Sequence, residues 1–431
     1  MTDNACKVAI AGLGTVGAET VRLIAAQKDL LAARSGREIR VTAVSARDRN
    51  RDRGLDLAGI EWFGDAAEMA AKADADIVVE VIGGEDGKAR ETIDNAIAAG
   101  RSVVTANKAM LAHHGIAIAT AAEAAGVWLG YEAAVAGGIP IIRALREGLS
   151  ANRHSRVTGI LNGTCNYILT EMRQTGAPFE GVLADAQKMG YAESDPTFDI
   201  DGIDAAHKLA ILASLAFGVR LNFGAVHIDG IRDVSPVDIA FAEELGYRIK
   251  LLGTAKLTDA GLEQRVHPCM VPKQAPIAHV EDVFNAVVVE GDFVGQTLYE
   301  GRGAGAGPTA SAVVSDIIDI AAGRAAPAFG LPVSQLVDIA PAAMAEHICS
   351  YYVRLSVVDR AGVVAEISAI LRDLDVSISN LMQRARDPGE PVPLVLTTHE
   401  TREASMMEAL ARISALDVCV MAPCMIRIES L

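Results

Sequence analysis

The stretch Lys7-Val8-Ala9-Ile10-Ala11-Gly12-Leu13-Gly14-Thr15-Val16-Gly17-Ala18-Glu19-Thr20-Val21-Arg22-Leu23-Ile24 decides how the first third of this chain folds. A short apolar run meets glycines 12, 14 and 17, and apolar residues then recur at helical spacing. This reads as strand, tight turn and helix. Gly12 permits the turn, Gly14 lets the backbone approach a pyrophosphate, and Gly17 lets helix and strand pack closely. Leu13, Thr15 and Val16 complete the fingerprint, with the helix N-terminus turned towards phosphate. Alone, such a fingerprint is weak, and its context has to carry it.

Working outward, a second strand is predicted at Ile39–Val44 and a third, apolar but for Glu80, at Ile77–Ile82, stopped by Gly83-Gly84. A helix over Ala89–Ala99, a strand over Ser102–Thr105 and a helix after Asn107-Lys108 follow. Alternating strands and helices predict a doubly wound parallel sheet, hence an α/β fold with a Rossmann-type nucleotide-binding domain over 1–130. A change of texture near Val127 opens an α+β catalytic and dimerisation domain over 131–325. Helices are expected at Ile141–Glu147, Tyr167–Arg173 and Asp204–Phe217, and a strand at Ala286–Glu290. Gly301–Pro308 reads as a backbone-exposing turn, with a helix over Thr309–Ala322 returning to the first domain, so that about 303–325 completes it. Prolines and small residues make 326–350 a linker. In 351–431, the order βαββαβ predicts a ferredoxin-like unit, with strands at Val376–Asn380 and Met425–Ile428.

The 431 residues suit roughly three domains, and 51% hydrophobic content supplies a large core. A net charge of -16 argues against nucleic acid or an anionic membrane as the main partner. Six scattered cysteines show neither a disulfide framework nor zinc spacing. Nothing approaches the roughly 20 apolar residues of a membrane span, and Met1–Asn4 lacks a basic leader. The expected location is cytoplasmic.

The second strand ends in Val44-Ser45-Ala46-Arg47-Asp48-Arg49. Ser45, Arg47 and Arg49 suit the 2′-phosphate of NADP(H); the alternative is Asp48 serving the ribose of NAD(H). A separate constellation lies in Gly190–Lys208, where five carboxylates and a lysine crowd a loop and the start of a helix. Asp204 and Lys208 are four apart and share one helix face, with Glu193 and Asp199 on the loop before it. Carbonyl reduction needs a proton delivered to the developing alkoxide, and a lysine beside carboxylates can give it. The competing reading is an ordinary surface ion pair.

The fingerprint, Thr105-Ala106-Asn107-Lys108, Tyr131–Pro140, Gly159–Leu169 and Gly190–Lys208 occur in an order that resembles homoserine dehydrogenase over essentially the whole chain. The resemblance is to the monofunctional form, since no aspartate-kinase region precedes the fingerprint. It implies NAD(P)H-dependent reversible reduction of L-aspartate 4-semialdehyde to L-homoserine, in threonine, methionine and isoleucine biosynthesis. It implies Lys208 as proton donor, Asp204 as its partner, and Lys108 near both nicotinamide and substrate. Glu193 would bind the substrate's polar end with Asp199 assisting, and Thr105 and Gly305 would line the cofactor. In the family a monovalent cation, usually sodium, binds Glu132 and the backbone oxygens of Val135, Gly137 and Ile139. The implied assembly is a homodimer or homotetramer.

Where the family often has a second threonine after Asn-Gly-Thr, this chain has Cys165, which raises a rival, thiol-dependent acylating dehydrogenase. A non-catalytic nucleotide-binding sensor is the third class. Residues 351–431 resemble an ACT domain, with Asp359-Arg360-Ala361-Gly362-Val363 at its first turn and Asn380 at the end of its second strand. Such domains pair edge strands across subunits and bind amino acids; the implied effector is threonine, as a feedback inhibitor. The alternative is a dimerisation module without a ligand.

Overall fold

The structure is a computed structural model that describes residues 4–324, 326–383 and 390–430. Positions 325 and 431, which close two of the expected intervals, lie outside the described residues. The first sheet is parallel and six-stranded: β1 (Cys6–Ala11), β2 (Ile39–Ser45), β3 (Glu61–Phe63), β4 (Ile77–Glu80), β5 (Ser102–Thr105) and β6 (Leu129–Gly130). Helices α1 (Thr15–Ala26), α2 (Lys28–Ser35), α3 (Ala66–Lys72), α4 (Lys88–Ala98) and α5 (Lys108–Ala125) connect them. The order β3-β2-β1-β4-β5-β6 reverses between β1 and β4, so the ligand crevice lies outside the carboxyl ends of those two strands. The strand expected over Ile77–Ile82 stops at Glu80, because the buried Glu80 carboxylate turns back to accept the N–H groups of Ile82 and Gly83 at 2.8 and 3.1 Å.

The middle of the chain contributes α6 (Ile141–Arg143), β7 (His154–Ile160), α7 (Gly163–Thr175), α8 (Phe179–Lys188), α9 (Thr197–Ile200), α10 (Ile203–Phe217), β8 (His227–Ile228) and α11 (Pro236–Glu244). It continues with β9 (Tyr247–Thr258), β10 (Gly261–Pro272), β11 (Phe284–Gly291), β12 (Gly295–Arg302) and α12 (Ala306–Ala321). Two expectations need correction. The helix over Ile141–Glu147 is one α-helical turn followed by a π-helical turn over Ala144–Gly148, closed by a bond from Leu149 N–H to Ala144 O. The glycine turn at 301–308 shrinks to three residues: Gly301 and Arg302 pair with Asn285 and Phe284 in the sheet, and α12 starts at Ala306. Helix α12 packs on α1, burying Val313 and Ile317 in one cluster with Val8, Ile10 and Val21.

The last unit comprises β13 (Ile348–Val358), α13 (Val363–Asp373), β14 (Ile378–Gln383), β15 (Pro391–Thr398), β16 (Thr401–Arg402), α14 (Glu403–Ser414) and β17 (Cys424–Ile428). Its strand order β17-β13-β15-β14 is ferredoxin-like. The strand expected over Val376–Asn380 instead pairs from Ile378 to Gln383. This sheet is not separate: β17 also pairs in parallel with β10, Cys269 opposite Arg427 and Met270 opposite Ile428, so one 11-stranded sheet runs through both units. Buried ion pairs brace the junction, Arg265 to Glu429 at 2.8 Å and Arg354 to Asp238 at 2.6 Å. Residues 326–350 lie packed on the body, with Phe329, Val333 and Leu336 buried and β13 already begun at Ile348.

Candidate active site

The turn after β1 is shaped by close backbone approaches. Gly12 has φ +100°, and a Cβ on Gly17 would sit 1.8 Å from Gly12 O, so neither position accepts a side chain. Gly14 faces open space, with nothing within 4 Å of a Cβ built there. No carboxylate occupies the first turn of α1, whose N-terminal N–H groups are left for an anion. These residues fit a dinucleotide. Ser45 closes β2, and its carbonyl accepts the Gly12 N–H at 2.9 Å. Arg47 and Arg49 lie exposed just beyond, while the Asp48 carboxylate accepts the Asn50 N–H at 2.8 Å. Arg53, only part of an arginine run in the sequence, reaches back to Leu13 O at 3.1 Å and Asp48 O at 2.8 Å, joining the loop to the fingerprint.

Across the switch point, Thr105 donates to Glu80 Oε2 at 2.7 Å and accepts the Asn107 N–H at 3.0 Å. Asn107 caps α5 through the Met110 N–H and ties down Gly84 O at 2.6 Å. This cap aims Lys108, the first residue of α5, at the catalytic helix. Lys108 Nζ lies 3.1 Å from Asp204 Oδ1, while Lys208 Nζ lies 2.7 Å from Asp204 Oδ2 and 2.7 Å from Leu161 O. One buried carboxylate therefore bridges two lysines. Burial, against the pull of Asp204, holds the Lys208 ammonium below its ordinary pKa, whereas the Asp204 charge raises that of the more exposed Lys108. Burial opposes ionisation of Asp204, yet Lys208 and Lys108 together outweigh it and keep the carboxyl well below its usual range.

Asn162 went unassigned in the sequence reading, and the structure makes it central. As N-cap of α7 its Oδ1 accepts the Cys165 N–H, and its Nδ2 donates to both Asp199 Oδ1 and Asp204 Oδ2 at 2.8 Å. Burial raises the Asp199 pKa. Glu193 is exposed at the rim, near enough for its charge to be felt by Lys108. Cys165 is buried, its thiol donates to Asp199 O at 3.2 Å, and burial pushes its pKa well above the ordinary value. A thiol held neutral in this way is a poor nucleophile, which removes the physical basis of the acylating alternative. Beside Lys208, His207 packs against Phe223 and His113 with centroids 4.4 and 5.3 Å apart, and burial lowers its pKa to about 4.

In the turn before α6, both Glu132 oxygens accept backbone N–H groups, of Ile142 at 2.8 Å and Arg143 at 2.9 Å. Burial and the nearby Asp316 raise the Glu132 pKa to about 7. Ile139 O accepts the Ile141 N–H at 2.8 Å. Gly137 has φ +45° and meets Gly303 backbone so closely that a Cβ would lie 2.4 Å from its oxygen, which brings Val135–Ile139 against the segment leading to Gly305. Gly305, at φ +116°, caps α12.

Comparison with known proteins places the chain by family. Residues 12–132 match the homoserine dehydrogenase NAD-binding domain, 140–318 match homoserine dehydrogenase, and 351–415 match the ACT domain. The homoserine dehydrogenase of Neisseria gonorrhoeae is 45% identical over 98% of both chains, and that of Pseudomonas aeruginosa 44% over 99% of both. The crystal structure of a homoserine dehydrogenase from Thiobacillus denitrificans superposes with a TM-score of 0.93 at 45% identity, covering 99% of this chain and 98% of that one. A hyperthermophilic archaeal homoserine dehydrogenase in complex with NADPH is similar at 26% identity and a TM-score of 0.63, over 73% of this chain and 97% of its own. A nucleotide crevice, a lysine pair on a buried aspartate and an appended ACT unit thus meet in one chain, which belongs to the homoserine dehydrogenase family of NAD(P)-dependent oxidoreductases acting on a CH–OH group.

Proposed function

We propose that Lys208 is the proton donor in the reduction of L-aspartate 4-semialdehyde to L-homoserine, and the acceptor in the reverse direction. The observation that carries this is Asp204, which holds Lys208 at 2.7 Å and Lys108 at 3.1 Å. When bound, the nicotinamide supplies a hydride to the aldehyde carbon. Two of the three Lys208 N–H groups go to Leu161 O and Asp204, leaving one for the substrate oxygen. Burial disfavours its ammonium, which favours release of the proton as the alkoxide forms. Lys108 balances Asp204 and orients the bound substrate. Glu193 and Asp199 hold the substrate's ammonium, with Asp199 fixed by Asn162. Lys208→Ala tests this: kcat is expected to fall about 10²–10⁴-fold, with reduced-cofactor binding, read by fluorescence titration, unchanged. Near-normal turnover would remove Lys208 from the role.

For the cofactor, the crevice between β1 and β4 is lined by Gly12, Leu13, Gly14, Thr15, Val16, Gly17 and Thr105, with Gly305 on the returning segment. Ser45, Arg47 and Arg49 favour NADP(H), with NAD(H) as the weaker substrate. Glu132, with the carbonyls of Val135, Gly137 and Ile139, suits a structural sodium ion: its carboxylate is buried, and each oxygen accepts one backbone N–H and keeps a further lone pair. Replacing sodium by choline is then expected to lower Tm in a concentration-dependent way, by mass action. Regulation by threonine through Asp359–Val363 and Asn380, a place in threonine, methionine and isoleucine biosynthesis, a cytoplasmic location, and assembly as a homodimer or homotetramer complete the reading. So does the division into 1–130, 131–325, 326–350 and 351–431. Among the described residues no helix is long and apolar enough to cross a membrane.

A further inference from the structure

A cleft of about 800 Å³ opens where the ACT unit meets the middle domain, between α14 and β17 on one side and the segment around β8 on the other. Its size is that of a small-molecule site. Three methionines, Met344, Met407 and Met425, line it together with Ile228, and methionine surfaces adapt to varied aliphatic shapes. Its charges fall into two kinds. At the back, buried Arg427 pairs with Glu403, which also accepts from Tyr351 Oη at 2.8 Å, and reaches out to Asp229 Oδ2 at 3.1 Å. At the rim, Arg232 pairs with Asp201 and His227 with Asp229, and all four side chains are 35–48% exposed. The Arg232–Asp201 pair is exposed on both sides and contributes little, so a ligand carrying one charge of each sign can exchange into it while Asp229 keeps its bond to Arg427.

We propose that this cleft binds a small α-amino acid with an apolar side chain, at a site distinct from the Asp359–Val363 turn, and that its occupancy is transmitted to the substrate loop. The ligand carboxylate meets Arg232, its ammonium meets Asp201, and its side chain lies on the methionines. Transmission follows from packing. Ile231 N–H donates to Ile200 O at 2.9 Å, and Gly230 lies so tightly on this backbone that a Cβ would be 2.4 Å from Ile200 O. The cleft wall therefore cannot shift without moving α9, which carries Asp199.

Titration calorimetry on the full chain with L-leucine as probe tests the site, by a readout that does not depend on turnover. The expected result is saturable binding, weakened about tenfold or more for L-leucinamide, which lacks the carboxylate. Met407→Glu and Ala404→Phe, both at exposed positions of α14, are expected to abolish leucine binding while the fold, followed by circular dichroism, is retained. Asp359→Ala is expected to leave it intact. Absence of saturable binding by L-leucine in the millimolar range, or binding that survives both cleft variants, overturns the site. Leucine binding that changes neither KM nor kcat for homoserine overturns the transmission.

Discussion

Lys208 and Lys108 share one carboxylate yet titrate in opposite directions, because one is buried and the other reaches it from a partly exposed helix start. The sign of the pH dependence follows. On the proposed role of Lys208, homoserine oxidation needs its neutral form, so kcat/KM is expected to rise with pH along a limb whose midpoint lies below the ordinary lysine value of about 10.4. Aldehyde reduction needs the ammonium and falls through the same midpoint. Lys208→Arg is expected to erase the limb, since a guanidinium does not titrate there; a limb that persisted in this variant would belong to another group. Asn162→Ala is expected to cost about 1 kcal/mol of stability through the lost cap of α7, measured by denaturant unfolding, and to lower kcat/KM as Asp199 and Asp204 lose their shared donor. The lysine and its aspartate were legible in the sequence because four residues on a helix make one face. Asn162 was not: its partners lie 37 and 42 positions away, and only the meeting of α7 with α9 and α10 reveals them.

At the scale of elements, the β1–α1 turn depends on Gly17, whose missing side chain leaves room for the Gly12 carbonyl. Gly17→Ala is expected to raise the cofactor Kd by more than about tenfold, read by fluorescence titration. On the proposed reading the loop after β2 selects the cofactor, and replacing Arg47 and Arg49 together by alanine is expected to weaken NADP(H) against NAD(H) by about 10–100-fold in kcat/KM, the effect of one or two charge-assisted contacts. An unchanged ratio would return the choice to Asp48 and Arg53. Apolar runs made β1, β2, β4 and β5 readable in the first sheet, whereas β3 (Glu61–Phe63) is too short for its pattern to stand out. Gly301-Arg302 misled because glycine marks a turn locally, whereas pairing with β11 draws these residues into a strand. The π-helical turn after α6 was equally hidden, since an apolar helical period does not distinguish α from π geometry over so few residues.

At the scale of the whole molecule, the sequence pattern of 351–431 reads as a free-standing unit, and its internal strand order agrees. What no local pattern carries is the β10–β17 pairing, made between residues more than 150 positions apart, which welds that unit to the middle domain. Arg427 spans the weld, bound to Glu403 within the ACT unit and to Asp229 beyond it. Arg427→Ala leaves Glu403 buried without its cation and is expected to cost about 3–5 kcal/mol, lowering one shared calorimetric transition for both domains. Two separately shifting transitions would mean that the sheet does not unfold as a unit. The seam strand is also the last one among the described residues. While the protein is being synthesised, β8 can already cover Arg265–Val266 of β10, but its Cys269–Met270 edge waits until residues 424–428 emerge, and that interval is when an exposed strand invites pairing with the wrong neighbour. Termination just before residue 424 would prolong it indefinitely, turning the loss of one short strand into an aggregation hazard for the catalytic domain.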